Sequence, residues 1–105
     1  MNKKKVLFVS EASYLNTGYA TYSREVLKRL HATGKYELAE FSVYGAEDHK
    51  DRGTIPWKNY PNMPQQGNEE QSKVYAQDGI NQFGKWRFDR VCRDFKPVIV
   101  LTIRD

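Results

Sequence analysis

Val6-Leu7-Phe8-Val9 is the stretch on which the fold turns. Four apolar residues follow one another with no polar break. A strand with one face in water alternates apolar and polar residues, whereas a strand covered on both faces reads as a continuous apolar run. The run is too short for the core of a signal peptide and far too short to cross a bilayer. It reads as a buried strand of a parallel sheet, so the residues that follow have to supply cover for both of its faces.

Outward from this run, Ser10 to Gly18 is polar and rich in turn-formers. Tyr19, Tyr22, Val26, Leu27 and Leu30 then recur at spacings of three and four, which defines one face of a helix with Tyr22 in the core. Arg24, Glu25, Lys28 and Arg29 take the other face. Asn16 or Thr17 is placed to cap the helix start. Lys28, Arg29 and His31 suit the negative end of its dipole, and Gly34 is a natural stop. Leu38 to Tyr44 reads as a second strand. Strand, helix and strand within about 40 residues have the length of a crossover unit that joins parallel strands, right-handed in nearly all cases.

The next segment, 45–72, holds Pro56, Pro61, Pro64, Gly53 and Gly67 among polar residues. A structureless loop of that length is unusual in a compact domain. The segment is expected to be a mobile insertion or an edge-strand region, with Thr54-Ile55-Pro56-Trp57 as a short edge strand that tolerates its proline. Helical spacing returns from Lys73 to Phe95, where Phe88, Val91, Cys92 and Phe95 form one stripe. Gly79 and Gly84 break it into two helices, and Pro97 ends the second. Val98 to Ile103 is a further strand, expected to be buried and central. The chain stops just beyond it at Asp105, so the reading expects a fragment of a longer protein. The whole of 1–105 is expected to be one α/β domain, a Rossmann-like three-layer fold with a mostly parallel sheet.

With 105 residues, 39% hydrophobic and 29% charged, the chain has the composition of a soluble globular domain with a modest core. Its single cysteine, Cys92, excludes an internal disulfide and suits a reducing, cytoplasmic setting. The net charge of +4 is a mild excess, partly a lysine run at residues 3–5. It leaves room for weak peripheral contact with an anionic membrane or attraction to phosphorylated substrates. Nucleic acid is not an expected partner: Lys85-Trp86-Arg87-Phe88-Asp89-Arg90 interleaves basic and aromatic residues, but a helix with aromatics inward and arginines outward gives the same string.

In open α/β sheets, ligands bind beyond the carboxyl ends of the strands where strand order reverses. The loop after the first strand, Ser10 to Gly18, is therefore the expected site. Gly18 at the helix start lets a ligand approach the backbone, and helix N-terminal N–H groups suit an anion; a plain turn glycine is the ordinary alternative. Glu11 and Asp105, with Arg104, reach the same crevice if the first and last strands are neighbours, although two solvated loop acids would give the same sequence. Tyr14 and Tyr19 are placed to line a pocket. No Gly-x-Gly-x-x-Gly and no phosphate-binding Gly-Lys-Ser/Thr loop is present. His31 and His49 lack metal-ligand spacing, so no metal site is expected, and Cys92 reads as core filler.

Lys5-Val6-Leu7-Phe8-Val9-Ser10, followed by Asn16-Thr17-Gly18-Tyr19-Ala20-Thr21-Tyr22-Ser23-Arg24-Glu25-Val26-Leu27-Lys28-Arg29-Leu30, resembles the opening of GT-B glycosyltransferases of the glycosyltransferase-4-like group. Phe95-Lys96-Pro97-Val98-Ile99-Val100 is similar to the family's lead-in to a later strand. The chain departs from the family pattern with Thr17-Gly18 for two adjacent glycines, with Val98 for an aspartate, and with Thr102-Ile103-Arg104-Asp105 where many members carry histidines. The resemblance implies the N-terminal, acceptor-side half of an enzyme that moves a sugar from a nucleotide-sugar with retention and without a metal or other cofactor. It implies Gly18 and Thr17 near the donor phosphates, Glu11, Tyr14, Asn16, Tyr19, Arg104 and Asp105 along the acceptor cleft, no assigned catalytic residue, and a C-terminal GT-B domain as partner. The alternative from another class is a non-catalytic α/β binding or regulatory module.

Overall fold

The computed structural model describes residues 3–15, 17–46 and 49–102. In chain order the elements are β1 (Lys4–Glu11), α1 (Gly18–Ala32), β2 (Tyr36–Val43), β3 (Lys58–Pro61), α2 (Glu69–Ala76), α3 (Phe88–Phe95) and β4 (Ile99–Thr102), with short 3-10 turns at Arg52–Thr54 and Gly79–Phe83. The strands form one sheet in the order β3-β2-β1-β4, and every pairing is parallel. The protein is thus an α/β fold of the Rossmann-like, three-layer kind.

The continuous apolar run of β1 is explained by its two neighbours and two covers. Leu7 and Val9, with Ala39 and Phe41 of β2, pack against Val91 and Phe95 of α3. Val6 and Phe8, with Leu38, pack on the opposite face against Leu27 of α1 and against Trp57. Alternate residues of one strand therefore serve two separate cores, so no position is left to be polar.

Helix α1 sits one step round from the face expected of it. Ala20, Ser23 and Leu27 are buried, with Val26 and Leu30 packed at the margin, while Tyr22 is 59% exposed rather than in the core. Both residue sets have helical spacing. Small Ala20 and Ser23 let the helix lie close on the sheet, which two tyrosines would not. Thr17 is its N-cap, and the C-cap at Thr33 is followed by Gly34 with φ +68, the left-handed stop expected there.

The segment 45–72 contains the edge strand, but at Lys58–Pro61 rather than Thr54–Trp57. Trp57 precedes it and turns its ring into the core beside Leu27. Asn62, fully buried, ties this region down. Its side-chain amide donates to the carbonyls of Asn81 and Gln82 at 3.0 and 2.9 Å, and its own oxygens accept from the Trp86 indole. The stretch Lys73 to Phe95 is two helices, as its glycines imply, joined by the 3-10 turn.

The last strand pairs with β1 as expected, Val9 opposite Thr102, but β4 is not central. It is an edge strand among the described residues, with Ile99, Val100 and Leu101 each about 40% exposed. Among the described residues no helix buries these side chains.

Gly84 closes the 3-10 turn with φ +104, and a Cβ placed there would lie 2.6 Å from the ring of buried Phe41. Gly84→Ala is expected to lower unfolding free energy by at least about 2 kcal/mol through backbone strain and overpacking together. Gly18→Ala, which meets nothing within 4 Å, is expected to change it by less than about 1 kcal/mol. Urea denaturation of the two variants checks this, and equal losses would contradict the packing described.

Candidate functional site

The strand order reverses between β1 and β4. From β1 the chain goes to α1 and then β2 on one side, while β4 arrives from α3 on the other. The crevice of such a sheet lies beyond the carboxyl ends of these two strands, here past Glu11 and Thr102. Thr17 brings three of the expected site residues together. Its backbone is extended, with φ −112 and ψ 164, and its hydroxyl oxygen accepts from the Ala20 N–H at 3.0 Å, capping α1. The same hydroxyl donates to the Glu11 carboxylate. Gly18 follows with open space around it, and Tyr19 stands 41% exposed on the first turn. A carboxylate, a hydroxyl and an accessible helix start therefore meet at the mouth of the crevice.

Tyr14 is placed differently. It is 6% exposed, its hydroxyl donates to the Ala46 carbonyl at 3.4 Å, and its ring lies 4.7 Å from that of His49. Burial, with the nearby Glu40 carboxyl adding to it and Arg52 opposing it, pushes the phenol up to about 12. Asn16, Arg104 and Asp105 lie outside the described residues.

Beneath the loop is a group that the sequence did not single out. Glu40, in the middle of β2, is fully buried. It accepts from the Ser13 N–H at 3.1 Å, the Ser13 hydroxyl at 2.6 Å and the Trp57 indole N–H at 3.2 Å. Arg24 of α1 donates to the Ser13 carbonyl at 3.3 Å. The loop after β1 is thus pinned from below by β2 and from the side by α1, which fixes the direction in which the chain climbs to Thr17. A lone acid between Ala39 and Phe41 was the available signal, because a carboxyl is rarely buried without partners that satisfy it.

Other candidates resolve into packing. Cys92 lies against the core cluster under α3, and burial together with the Asp89 charge raises its thiol above the ordinary value, which disfavours a thiolate nucleophile. Trp86 donates to Asn62, Arg87 stacks on the Trp86 ring at 4.1 Å, and Phe88 stacks against Phe41. A cavity of about 440 Å³ at the amino ends of the strands is bordered by Lys5, Glu37, Lys58 and Asp94. Those charges are paired with one another at 3.5 and 3.3 Å. Among the described residues there is no cluster of three His, Cys, Asp or Glu side chains able to hold a metal, and no helix long and apolar enough to cross a membrane.

The chemistry available at the crevice is recognition of hydroxyl groups. The Glu11 carboxylate accepts from hydroxyl donors, and a polyol can exchange hydrogen bonds with both it and Thr17. An oxyanion approaching the same cap would meet the Glu11 charge, so it is better received on the Gly18 side of the helix start. Comparison with protein-family models, with curated proteins and with solved structures found no match.

Glu40→Ala is expected to destabilise the fold by about 3 kcal/mol, because it strands buried donors of Ser13 and Trp57; urea unfolding followed by the emission of Trp57 and Trp86 together measures it. A loss below about 1 kcal/mol would mean that the loop is not held this way. For Tyr14, the folded phenol ionises near pH 12 against an ordinary value of 10.0. Its contribution to stability is then complete below pH 10 and is lost as pH climbs through about 12. Tyr14→Phe is expected to shallow that alkaline decline in a series of denaturation curves.

Proposed function

We propose that this chain is the acceptor-side domain of a glycosyltransferase, receiving the sugar or polyol acceptor while a nucleotide-sugar supplies the transferred group. The observation that carries the reading is the Glu11–Thr17–Gly18 arrangement at the strand-order reversal, with the Glu11 carboxylate hydrogen-bonded to the cap of α1. Glu11 and Thr17 bind acceptor hydroxyls, with Tyr19 as a stacking wall at the rim. Gly18, with open space before it, admits the donor phosphates to the helix N-terminus. No metal is required, and the mild basic charge and single cysteine suit work in the cytoplasm. The catalytic groups and the nucleotide site belong to a second GT-B domain in this reading.

The division of labour is specific. A carboxylate that accepts from two neighbouring hydroxyls distinguishes a diol from a single alcohol, and its fixed direction favours one epimer. Buried Glu40 contributes by keeping the loop in place, without touching the ligand.

The natural gene product, assayed with a panel of nucleotide-sugars, is expected to show sugar transfer or donor hydrolysis. Glu11→Ala is expected to raise the acceptor KM about tenfold or more, the loss of a charge-assisted hydrogen bond. Neither transfer nor hydrolysis by a folded protein, together with no nucleotide-sugar binding, would overturn the proposal in favour of a non-catalytic binding module.

A further inference from the structure

One residue at the sheet end is held in a backbone conformation that its type disfavours. Tyr44 has φ +60, in the left-handed region that glycine enters freely and an L-residue enters at a cost. It stands directly after Val43, the residue that the β1–β2 ladder sets opposite Glu11. The Ala12 N–H still donates to the Val43 carbonyl at 3.0 Å. Tyr44 therefore begins where the ladder carrying Glu11 stops, at the carboxyl ends of the strands.

The turn that carries it is fixed from several directions. The Gly45 N–H donates to the Ser42 carbonyl at 2.9 Å, the Asn62 N–H to the same carbonyl at 3.1 Å, and the Met63 N–H to the Gly45 carbonyl at 3.0 Å. Gly45 is packed so closely that a Cβ there would lie 2.5 Å from the Ser42 Cβ and 2.7 Å from the Tyr14 hydroxyl. The glycine of the turn thus serves close packing, and the left-handed position is filled by a tyrosine. Its ring meets that of Phe83 edge-on, with centroids 6.5 Å apart, yet Tyr44 remains 39% exposed. Phe83 precedes Gly84, which abuts Phe41 in the α3-facing core. Tyr44 therefore stands on the α3 side of the sheet end, while exposed Tyr19 stands on the α1 side. A strained position that displays an aromatic ring to solvent, where glycine would sit without strain, points to function rather than to folding.

We infer that Tyr44 is the stacking platform for a pyranose ring of the acceptor, and that it selects cyclic sugars over acyclic polyols. A pyranose presents C–H bonds on a ring face and hydroxyls around its rim. An aromatic ring, negative over its face, receives the C–H side, while Glu11 and Thr17 receive hydroxyls. An acyclic polyol carries the same hydroxyls without a rigid face. A ring held in place before the ligand arrives loses little conformational freedom on binding, and the clamped turn provides that hold. The inference rests on the acceptor-side reading of the crevice and narrows its substrate class.

Saturation-transfer NMR of the 105-residue chain with methyl β-glucoside, methyl β-galactoside and methyl α-mannoside is expected to show saturable binding of at least one, with the strongest transfer to the C–H protons of one ring face. Sorbitol is expected to bind about tenfold more weakly or less. Tyr44→Asn keeps a residue type that accepts left-handed backbone and is expected to weaken pyranoside binding about tenfold or more, with a cooperative urea transition retained. Tyr44→Phe is expected to preserve binding, since the ring and not the hydroxyl is used. No pyranoside binding by the folded chain, equal binding of sorbitol, or undiminished binding by Tyr44→Asn would each overturn the assignment. The transferase reading is separable from it. Sugar transfer by the natural gene product with an acceptor KM unmoved by Tyr44→Asn would sink the platform alone. Pyranoside binding that Tyr44→Asn abolishes, in a protein that transfers nothing, would keep the platform and end the transferase reading.

Discussion

A strand that is apolar on both faces must be covered twice, and the rest of this protein follows from covering β1. Its hydrogen-bonding edges are taken by β2 and β4. Its two faces are taken by α1 with Trp57 and by α3. Because the two helices approach from opposite sides, the chain has to leave β1 in one direction and return to its other flank from the opposite one. That path opens a crevice at the strand ends without any residue there being selected for it. Function at this crevice is therefore a matter of which side chains the loop presents, and here the loop presents Glu11 and Thr17.

The loop owes its precision to a polar group in an otherwise apolar layer. Glu40 occupies the α1-facing side of β2 next to Leu38 in the alternation, and it converts a hydrophobic contact into a directional one. Ser13 donates to it twice, and Trp57 closes the remaining side. An aliphatic residue at this position would hold α1 and Trp57 as well, but would leave the loop free to choose another route. The network carries orientation, while the surrounding Leu27, Phe8 and Trp57 carry most of the burial.

Much of the architecture was legible because it rests on local pattern. The unbroken run at Val6, the helix ending at Gly34, the glycines at 79 and 84 and the Val98 strand each have a physical reading that needs no neighbour. The orientation of α1 was not legible: the faces through Tyr19 and Tyr22 and through Ala20 and Ser23 are equally periodic, and only the closeness of the sheet selects the small residues. The edge strand was displaced because Trp57 reads equally well as a strand residue and as an anchor before one. The burial of β4 was overestimated, since an apolar run states what a strand prefers, and not whether anything is there to cover it. At the crevice, Glu11 and Thr17 were legible as a strand end and a helix cap, six residues apart. Glu40 joins Ser13 and Trp57, residues far apart in sequence, and no spacing rule connects them.

The two margins of the sheet are chemically unequal. On the β3 side the outer rim ends in Pro61, which has no N–H to offer. On the β4 side the outward backbone groups of Ile99 to Thr102 meet no further strand among the described residues, and the side chains flanking them are half wet and apolar. Among the described residues the sheet has a margin blunted by proline and an adhesive one, so lateral growth in register is favoured from β4 and would carry the parallel arrangement outward in a single sense.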